Sequence, residues 1–318
     1  MVQLFLIGIS AGAATALLFA SVASGSLFSV LLFYLAPLPI LIAALGWSHW
    51  AALIAAVFAS LGLTSVFGAY FFVAFLIGIG LPAWWLGYLT LLARPTGAPP
   101  PNDMEWYPAG SLVVWAAILG ALIVVAAIIN FGPGEDGFRA ALRSGLERAL
   151  RLQSRMPKDS QPDLNRLLDF LVVALPPAAA VLTTITNVLN LWLAGRIVAV
   201  SGRLKRQPPD LSAIQFPFYA PLLLGGAIAG SFLPSLIGTA AGVLAASMLM
   251  AYALLGFAVL HNITRSIKGR PFILGGVYAA VMVFGWPALV MMLLGLADTA
   301  FDIRGRIARR RGPSKPGT

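Results

Sequence analysis

Residues 1–93 read MVQLFLIGISAGAATALLFASVASGSLFSVLLFYLAPLPILIAALGWSHWAALIAAVFASLGLTSVFGAYFFVAFLIGIGLPAWWLGYLTLLA, without one Asp, Glu, Lys or Arg. A soluble domain carries roughly 25% charged residues, so an uncharged run of this length excludes an ordinary globular fold. Short polar breaks such as Ala23-Ser24-Gly25-Ser26 and Gly46-Trp47-Ser48 divide the run into four apolar segments, about 2–22, 27–45, 50–66 and 69–93. Each approaches the roughly 20 helical residues needed to cross a hydrocarbon core of about 30 Å. Backbone polar groups in lipid must be satisfied within the segment, which makes each one a helix.

The remainder repeats the pattern. The chain of 318 residues is 59% hydrophobic and 10% charged, and its 21 Lys/Arg and 11 Asp/Glu fall in five islands: 94–105, 135–169, 196–210, 265–270 and 298–315. Five more apolar segments lie between or beside them, at about 109–131, 169–195, 213–234, 236–262 and 271–297. The expected fold is therefore all-α, a polytopic integral membrane protein with about nine transmembrane helices (eight to ten). Soluble, collagenous and disordered classes are excluded, and so is a cleavable signal at the start, because no basic region precedes the first apolar stretch.

The charged islands set the organisation. Residues 1–93 form a block of tightly turned hairpins, and the Pro-rich loop 94–108 separates it from a second transmembrane region, 109–297. Residues 298–318 are a basic tail. Around a helical wheel over 137–156, Phe138, Leu142, Leu146, Ala149, Leu152 and Met156 share one face. Arg139, Arg143, Glu147, Arg148, Arg151 and Arg155 take the other. This predicts an amphipathic helix lying in the membrane interface, with docking to a partner as the alternative. Trp47, Trp50, Trp84 and Trp85 suit interfacial anchoring, and Pro176-Pro177 predicts a kink in 169–195. The net charge of +10 belongs to loops that hold topology and meet anionic lipid, not to nucleic-acid binding.

Nine crossings put 132–168 and the C-terminal region on one side with 13 Lys/Arg, against 8 on the other. The positive-inside tendency then predicts a cytoplasmic C-terminus and an external N-terminus. Yet both flanks of 271–297 are basic, which one crossing cannot reconcile; one segment is then re-entrant or miscounted.

Chemistry-bearing residues are sparse. The absence of cysteine excludes disulfides and thiolate sites, and His49 and His261 are too few for a histidine-built metal centre. No GxxxxGK[ST], G-x-S-x-G or HExxH motif occurs, so neither an enzyme of a familiar kind nor a bound cofactor is expected. A lipid-modifying membrane enzyme stays as the remote alternative. Thr183, Thr186, Asn187 and Asn190 follow i, i+3, i+4, i+7 on one helix face, either as a ligand-lining stripe or as interhelical hydrogen bonding worth about 0.6 kcal/mol per contact. Asp298, Asp302, Arg304 and Arg306 form a second group, structural or switching, in which Asp302 can meet Arg306 at i, i+4. Gly8, Gly12, Ala16 and Ala20, spaced by four, make a face that another helix can approach closely, from within the chain or from a partner.

The stretch LLDFLVVALPPAAAVLTTITNVLNLWLAGRIVAVSGRLKR, residues 167–206, resembles the DUF2232 (YybS-like) family of bacterial predicted membrane proteins. The ending Leu294–Asp298 through Phe301-Asp302-Ile303-Arg304 is similar to that family's closing motif, with Ile303 where an aromatic is expected. Through its small-residue first helix, Ala36-Pro37-Leu38-Pro39 and the hairpin block, the N-terminal region resembles the substrate-binding S-components of energy-coupling-factor transporters. That resemblance implies a cytoplasmic N-terminus and makes Gly8, Gly12, Ala16 and Ala20 the docking face for a transmembrane partner subunit. The functional expectation is a small-molecule binding or transport component of the bacterial inner membrane, acting with partners. The alternative is a membrane scaffold whose helix 137–156 and basic tail recruit cytoplasmic factors or anionic lipid.

Overall fold

The computed structural model describes residues 1–97, 99, 103–131, 134–153 and 161–311. Arg155 and Met156, part of the Pro-rich loop 94–108 and the end of the basic tail lie outside the described residues. Helices dominate the rest. The N-terminal block comprises α1 (Val2–Ala20), α2 (Leu27–Tyr34), α3 (Leu38–Gly46), α4 (His49–Phe67), α5 (Tyr70–Phe75) and α6 (Leu81–Thr90), with a π-helical turn over Leu76–Gly80 joining α5 to α6. The loop after it is a small antiparallel hairpin of β1 (Ala93–Pro95) and β2 (Met104–Trp106), held by Arg94 and Glu105 at 2.7 Å. Then follow α7 (Ala109–Phe131), α8 (Gly134–Gln153) and α9 (Gln161–Val200). Next come α10 (Ala220–Gly230), α11 (Ser235–Ile263), α12 (Arg270–Phe284), α13 (Pro287–Phe301) and α14 (Ile303–Arg311).

Among the described residues seven segments are long and apolar enough to cross a membrane: Val2–Ser24, Leu27–Gly46, His49–Phe67, Tyr70–Thr90, Ala109–Asn130, Asp163–Val200 and Ser235–Ile263. The expected span 213–234 yields only the 11-residue α10. The expected span 271–297 breaks in two at Gly285, whose φ of 72° ends α12, and Pro287 opens α13. Proline tolerates the first helical turn but not the interior, so the chain restarts there. At 15 residues each, α12 and α13 are about 22 Å long and too short to cross alone.

Their direction decides the topology. A Cβ on Gly256 of α11 would lie 1.7 Å from the Met291 carbonyl oxygen, and one on Gly295 of α13 would lie 2.1 Å from that of Tyr252. The two glycines therefore face each other at a backbone-to-backbone crossing, and because the segments beyond both reach one carbonyl, α13 runs parallel to α11. The Asn262 amide and the Arg304 guanidinium both donate to the Ser212 carbonyl, at 3.1 and 3.0 Å, so the ends of α11 and α13 meet. Arg270 Nη2 stands 3.4 Å from His261 Nδ1, and Tyr278 Oη 2.9 Å from His261 Nε2, so α12 descends from that same end. Residues 270–301 are a helical hairpin with both ends on one side, not a crossing. This overturns the nine-span topology and accounts for the basic flanks.

Residues 201–216 form a strap across that end. Lys205 reaches the Trp47 carbonyl and Arg206 the Thr90 carbonyl, both at 3.5 Å, and a Cβ on Gly110 would meet the Gln215 carbonyl at 1.8 Å. α1 lies parallel to α4, with Gly8 against Ala51 and Ile54 and Gly12 against Ala55, so the N-terminus starts at the strap end as well. The strap end thus carries Arg94, Arg196, Arg203, Lys205, Arg206, Arg265, Lys268, Arg270 and the arginines of α14. The opposite end carries Arg139, Arg143, Arg148 and Arg166. The charge tally reverses, because the hairpin moves the C-terminal cluster to the other side.

Packing draws on both halves. One core cluster joins Ile40, Leu41, Ala55 and Leu86 with Ala116 of α7 and Ala194 and Val198 of α9. The 40-residue α9 continues through Pro176 and Pro177. α8 departs from the interfacial reading: Phe138 is 5% exposed and packs with Val124, Ile128 and Val243, so its apolar side faces protein. Arg143 bonds Asp169 and Asn165 of α9, which fixes the helix from its polar side. Trp84 and Trp85 also depart from the anchoring role. Their indole nitrogens are buried and their rings pack on Tyr88, with Trp85 edge-on to Trp115; Trp50 is exposed.

The natural absence of cysteine makes single-cysteine labelling clean. Lys268→Cys and Arg306→Cys should react with a membrane-impermeant thiol reagent from one side of a sealed vesicle, and Ser144→Cys from the other. Labelling of positions 268 and 306 from opposite sides would refute the hairpin. Gly295→Ala should lower stability in detergent unfolding by about 1–3 kcal/mol through overpacking. Gly276→Ala, with nothing within 4 Å of its Cβ, should not.

Candidate functional site

The last turns of α9 present two different faces. Thr183, Thr186, Asn187 and Asn190 share one of them, as their spacing requires. Asn187 and Asn190 are buried there. The Asn190 amide donates to the Tyr34 carbonyl and to the Thr186 carbonyl, both at 2.8 Å. The Tyr34 contact has a local cause: Pro37 breaks the helix between α2 and α3, and the Leu38 N–H turns to Leu35 at 3.0 Å. Asn190 fills the place of that lost donor. Thr183 bonds its own helix at Ala179, 2.8 Å away. None of the four borders the cavity described next.

The other face of α9, through Ile185, Leu189, Trp192, Gly195, Arg196 and Ala199, lines a cavity of about 750 Å³. α7 contributes Leu112 and Val113, α11 contributes Leu254 and Ala258, and the strap from Leu204 to Phe216 covers the end. The deep walls are aliphatic and aromatic; the charges gather under the strap. They are Arg196, Arg206, Arg265 and Arg270, with Asp210 the one carboxylate among the lining residues.

That carboxylate is already committed. Asp210 caps the short 3₁₀ turn Leu211–Ala213, accepting from the Ser212 N–H at 3.0 Å, and pairs with Arg265 at 2.6 Å. Hydrogen bonds from Arg265 and Ser212 hold its carboxyl below the usual carboxylate range. Arg206 has no such partner. It is 8% exposed, its Nη1 makes one long contact with the Thr90 carbonyl at 3.5 Å, and its Nε is buried without a hydrogen-bond partner. Burial pulls its guanidinium below the ordinary arginine range. Arg270 Nε is likewise buried and unpartnered.

Of the remaining expected residues all but the exposed Arg306 make contacts within the fold. Asp298 and Arg304 form a buried pair at 2.8 Å, and Asp298 also accepts from the Arg304 N–H at 3.0 Å. Asp302 pairs with Arg309 at 3.1 Å instead of Arg306. Its backbone is left-handed, with φ 48°, so the helix breaks there and Asp302 caps Gly305 N at 3.1 Å. Gly8 and Gly12 are buried against α4, and Ala16 and Ala20 pack beside Ala59, Leu63 and Phe75. Among the described residues no three His, Cys, Asp or Glu side chains gather into a metal-binding group. In sequence Arg206 is only one charge of the island 196–210; its burial is a property of the fold, which sets it against Thr90, 116 residues away.

A family model described as Predicted membrane protein (DUF2232) matches residues 13–299. No curated protein and no solved structure matches the chain.

Asn190→Leu leaves the Tyr34 carbonyl without its donor and should cost about 1–3 kcal/mol in detergent unfolding. Thr183→Val, on the same face, should change stability by less than about 0.5 kcal/mol. Equal effects would show that the carbonyl at the helix break is satisfied in some other way.

Proposed function

This chain belongs to the DUF2232 family of predicted membrane proteins, and we propose that it is a small-molecule binding component of the bacterial inner membrane whose site is the cavity beneath the strap. The cavity itself carries the reading. It holds about 750 Å³ between α7, α9 and α11, has apolar walls, and gathers its polar groups at one end. Ligand sites are commonly of this size and composition. The basic residues collected at the strap end support a cytoplasmic position for that end and the N-terminus, by the positive-inside tendency. This agrees with the orientation implied by the S-component resemblance.

With no P-loop in the sequence, active transport would need partner subunits. α4 already covers Gly8 and Gly12, so a transmembrane partner would meet α1 on its open flank, where Phe5, Leu6 and Leu17 are exposed. The scaffold alternative is less well supported. It asks α8 and the basic C-terminal segment to face one compartment, whereas α8 sits opposite the strap and α14 beside it.

The test is native mass spectrometry of protein purified in mild detergent. A co-purifying small molecule or lipid should accompany the wild type and be lost from Gly195→Trp. Nothing lies within 4 Å of a Cβ at Gly195, so the indole can enter the cavity without displacing backbone. A wild-type protein that carries nothing, across lipid, vitamin and metal mixtures, would refute the binding reading.

A further inference from the structure

We propose that the ligand of this cavity is an amphiphile bearing a net-anionic phosphate headgroup, its phosphate held by Arg206 together with Arg196 and Arg270 and its chain lying along α9. The inference rests on the binding reading above and adds the chemistry of what is bound.

Arg206 is the first argument. The Arg206 residue is 8% exposed, makes one long carbonyl contact, has a buried unpartnered Nε, and lines the cavity. A buried cation is costly unless paired, and among the described residues no carboxylate pairs with it. Arg265 takes Asp210 for itself at 2.6 Å. Arg196, Arg206 and Arg270 remain around the same end of the cavity. Guanidinium forks match phosphate oxygens in geometry and charge, and three of them exceed what one carboxylate would balance.

The apolar half is the second. From Arg196 the lining descends through Trp192 and Leu189 to Ile185, eleven residues or about 16 Å along the helix. Leu112 and Val113 face it from α7. A free phosphate would leave that volume empty, whereas a hydrocarbon chain fills it. Leu189 and Trp192 line the cavity and are 49% and 47% exposed. Both lie on a membrane-spanning helix, so a chain bound beside them sits at the depth of the lipid tails.

The test measures thermal unfolding of the full chain in neutral detergent with added dioctanoyl phosphatidylglycerol, dioctanoyl phosphatidylcholine, octanoate or inorganic phosphate. The anionic phospholipid should raise Tm in a saturable way, and the other three should do so at least tenfold less effectively. Arg206→Gln and Gly195→Trp should each weaken the phosphatidylglycerol response at least tenfold. Arg306→Gln, exposed on α14, should leave it unchanged. If Arg206→Gln does not fold, the exposed Arg196→Gln serves in its place. Full stabilisation by inorganic phosphate would reduce the site to a free-anion site and overturn the lipid half. An equal octanoate response would overturn the phosphate. A response indifferent to Arg206, Arg196 and Gly195 would place the lipid elsewhere. Another ligand co-purifying in the cavity would sink this inference while sparing the binding reading; an empty cavity would sink both.

Discussion

The carbonyl of Ser212 receives two donors, and the C-terminal half of the molecule depends on them. An amide oxygen has two lone pairs; here one is taken by Asn262 at the end of α11 and the other by Arg304 just beyond α13. Arg304 is in turn locked to Asp298, with the two side chains 11% and 6% exposed. Breaking a buried ion pair of this kind costs about 3–5 kcal/mol, so the end of α13 is held beside the end of α11. The turn that presents Ser212 is capped by Asp210, and Asp210 is tied to Arg265 at the foot of the α11–α12 connection. From this knot follow the hairpin, the gathering of basic residues at one end, and the closure of the cavity beneath the strap.

Close backbone approach does the work that hydrophobic burial does in water. Lipid is as apolar as a leucine side chain, so helices in a bilayer associate through packing and interhelical hydrogen bonds. α1 meets α4 through Gly8 and Gly12, and α11 meets α13 through Gly256 and Gly295. Ala51, Ala52, Ala55, Ala56 and Ala59 line the buried side of α4. The chain spends its small residues on internal contacts. Its large apolar side chains, such as Phe5, Leu6 and Phe272, are left exposed for the bilayer.

The charge pattern made the membrane class and most spans legible, because a charge in hydrocarbon is costly wherever it falls. The same pattern could not distinguish a crossing from a hairpin over 271–297, since both are equally apolar. The clues were Gly285-Trp286-Pro287 inside the run and arginines on both flanks, and they gain meaning only once Ser212 ties the two ends together. Asn190 was legible as a buried polar residue. Its partner was not, because the Tyr34 carbonyl becomes available through a helix break in another segment. The face of α9 opposite Asn190 was passed over for a physical reason: Ile185, Leu189 and Trp192 look in sequence like any lipid-facing stripe. Arg206 escaped notice because burial is a property of the folded strap, not of the residue.

What emerges is a membrane bundle whose two ends differ, with a buried arginine above an apolar cleft at the strap end. The most direct measurement is an electron cryo-microscopy map of the protein reconstituted in nanodiscs of native lipid. We expect phosphate-sized density within hydrogen-bonding reach of Arg206 and continuous chain density running down α9 past Trp192. A well-ordered map in which the cleft has collapsed, or in which the Arg206 guanidinium has swung out to water, would contradict this account.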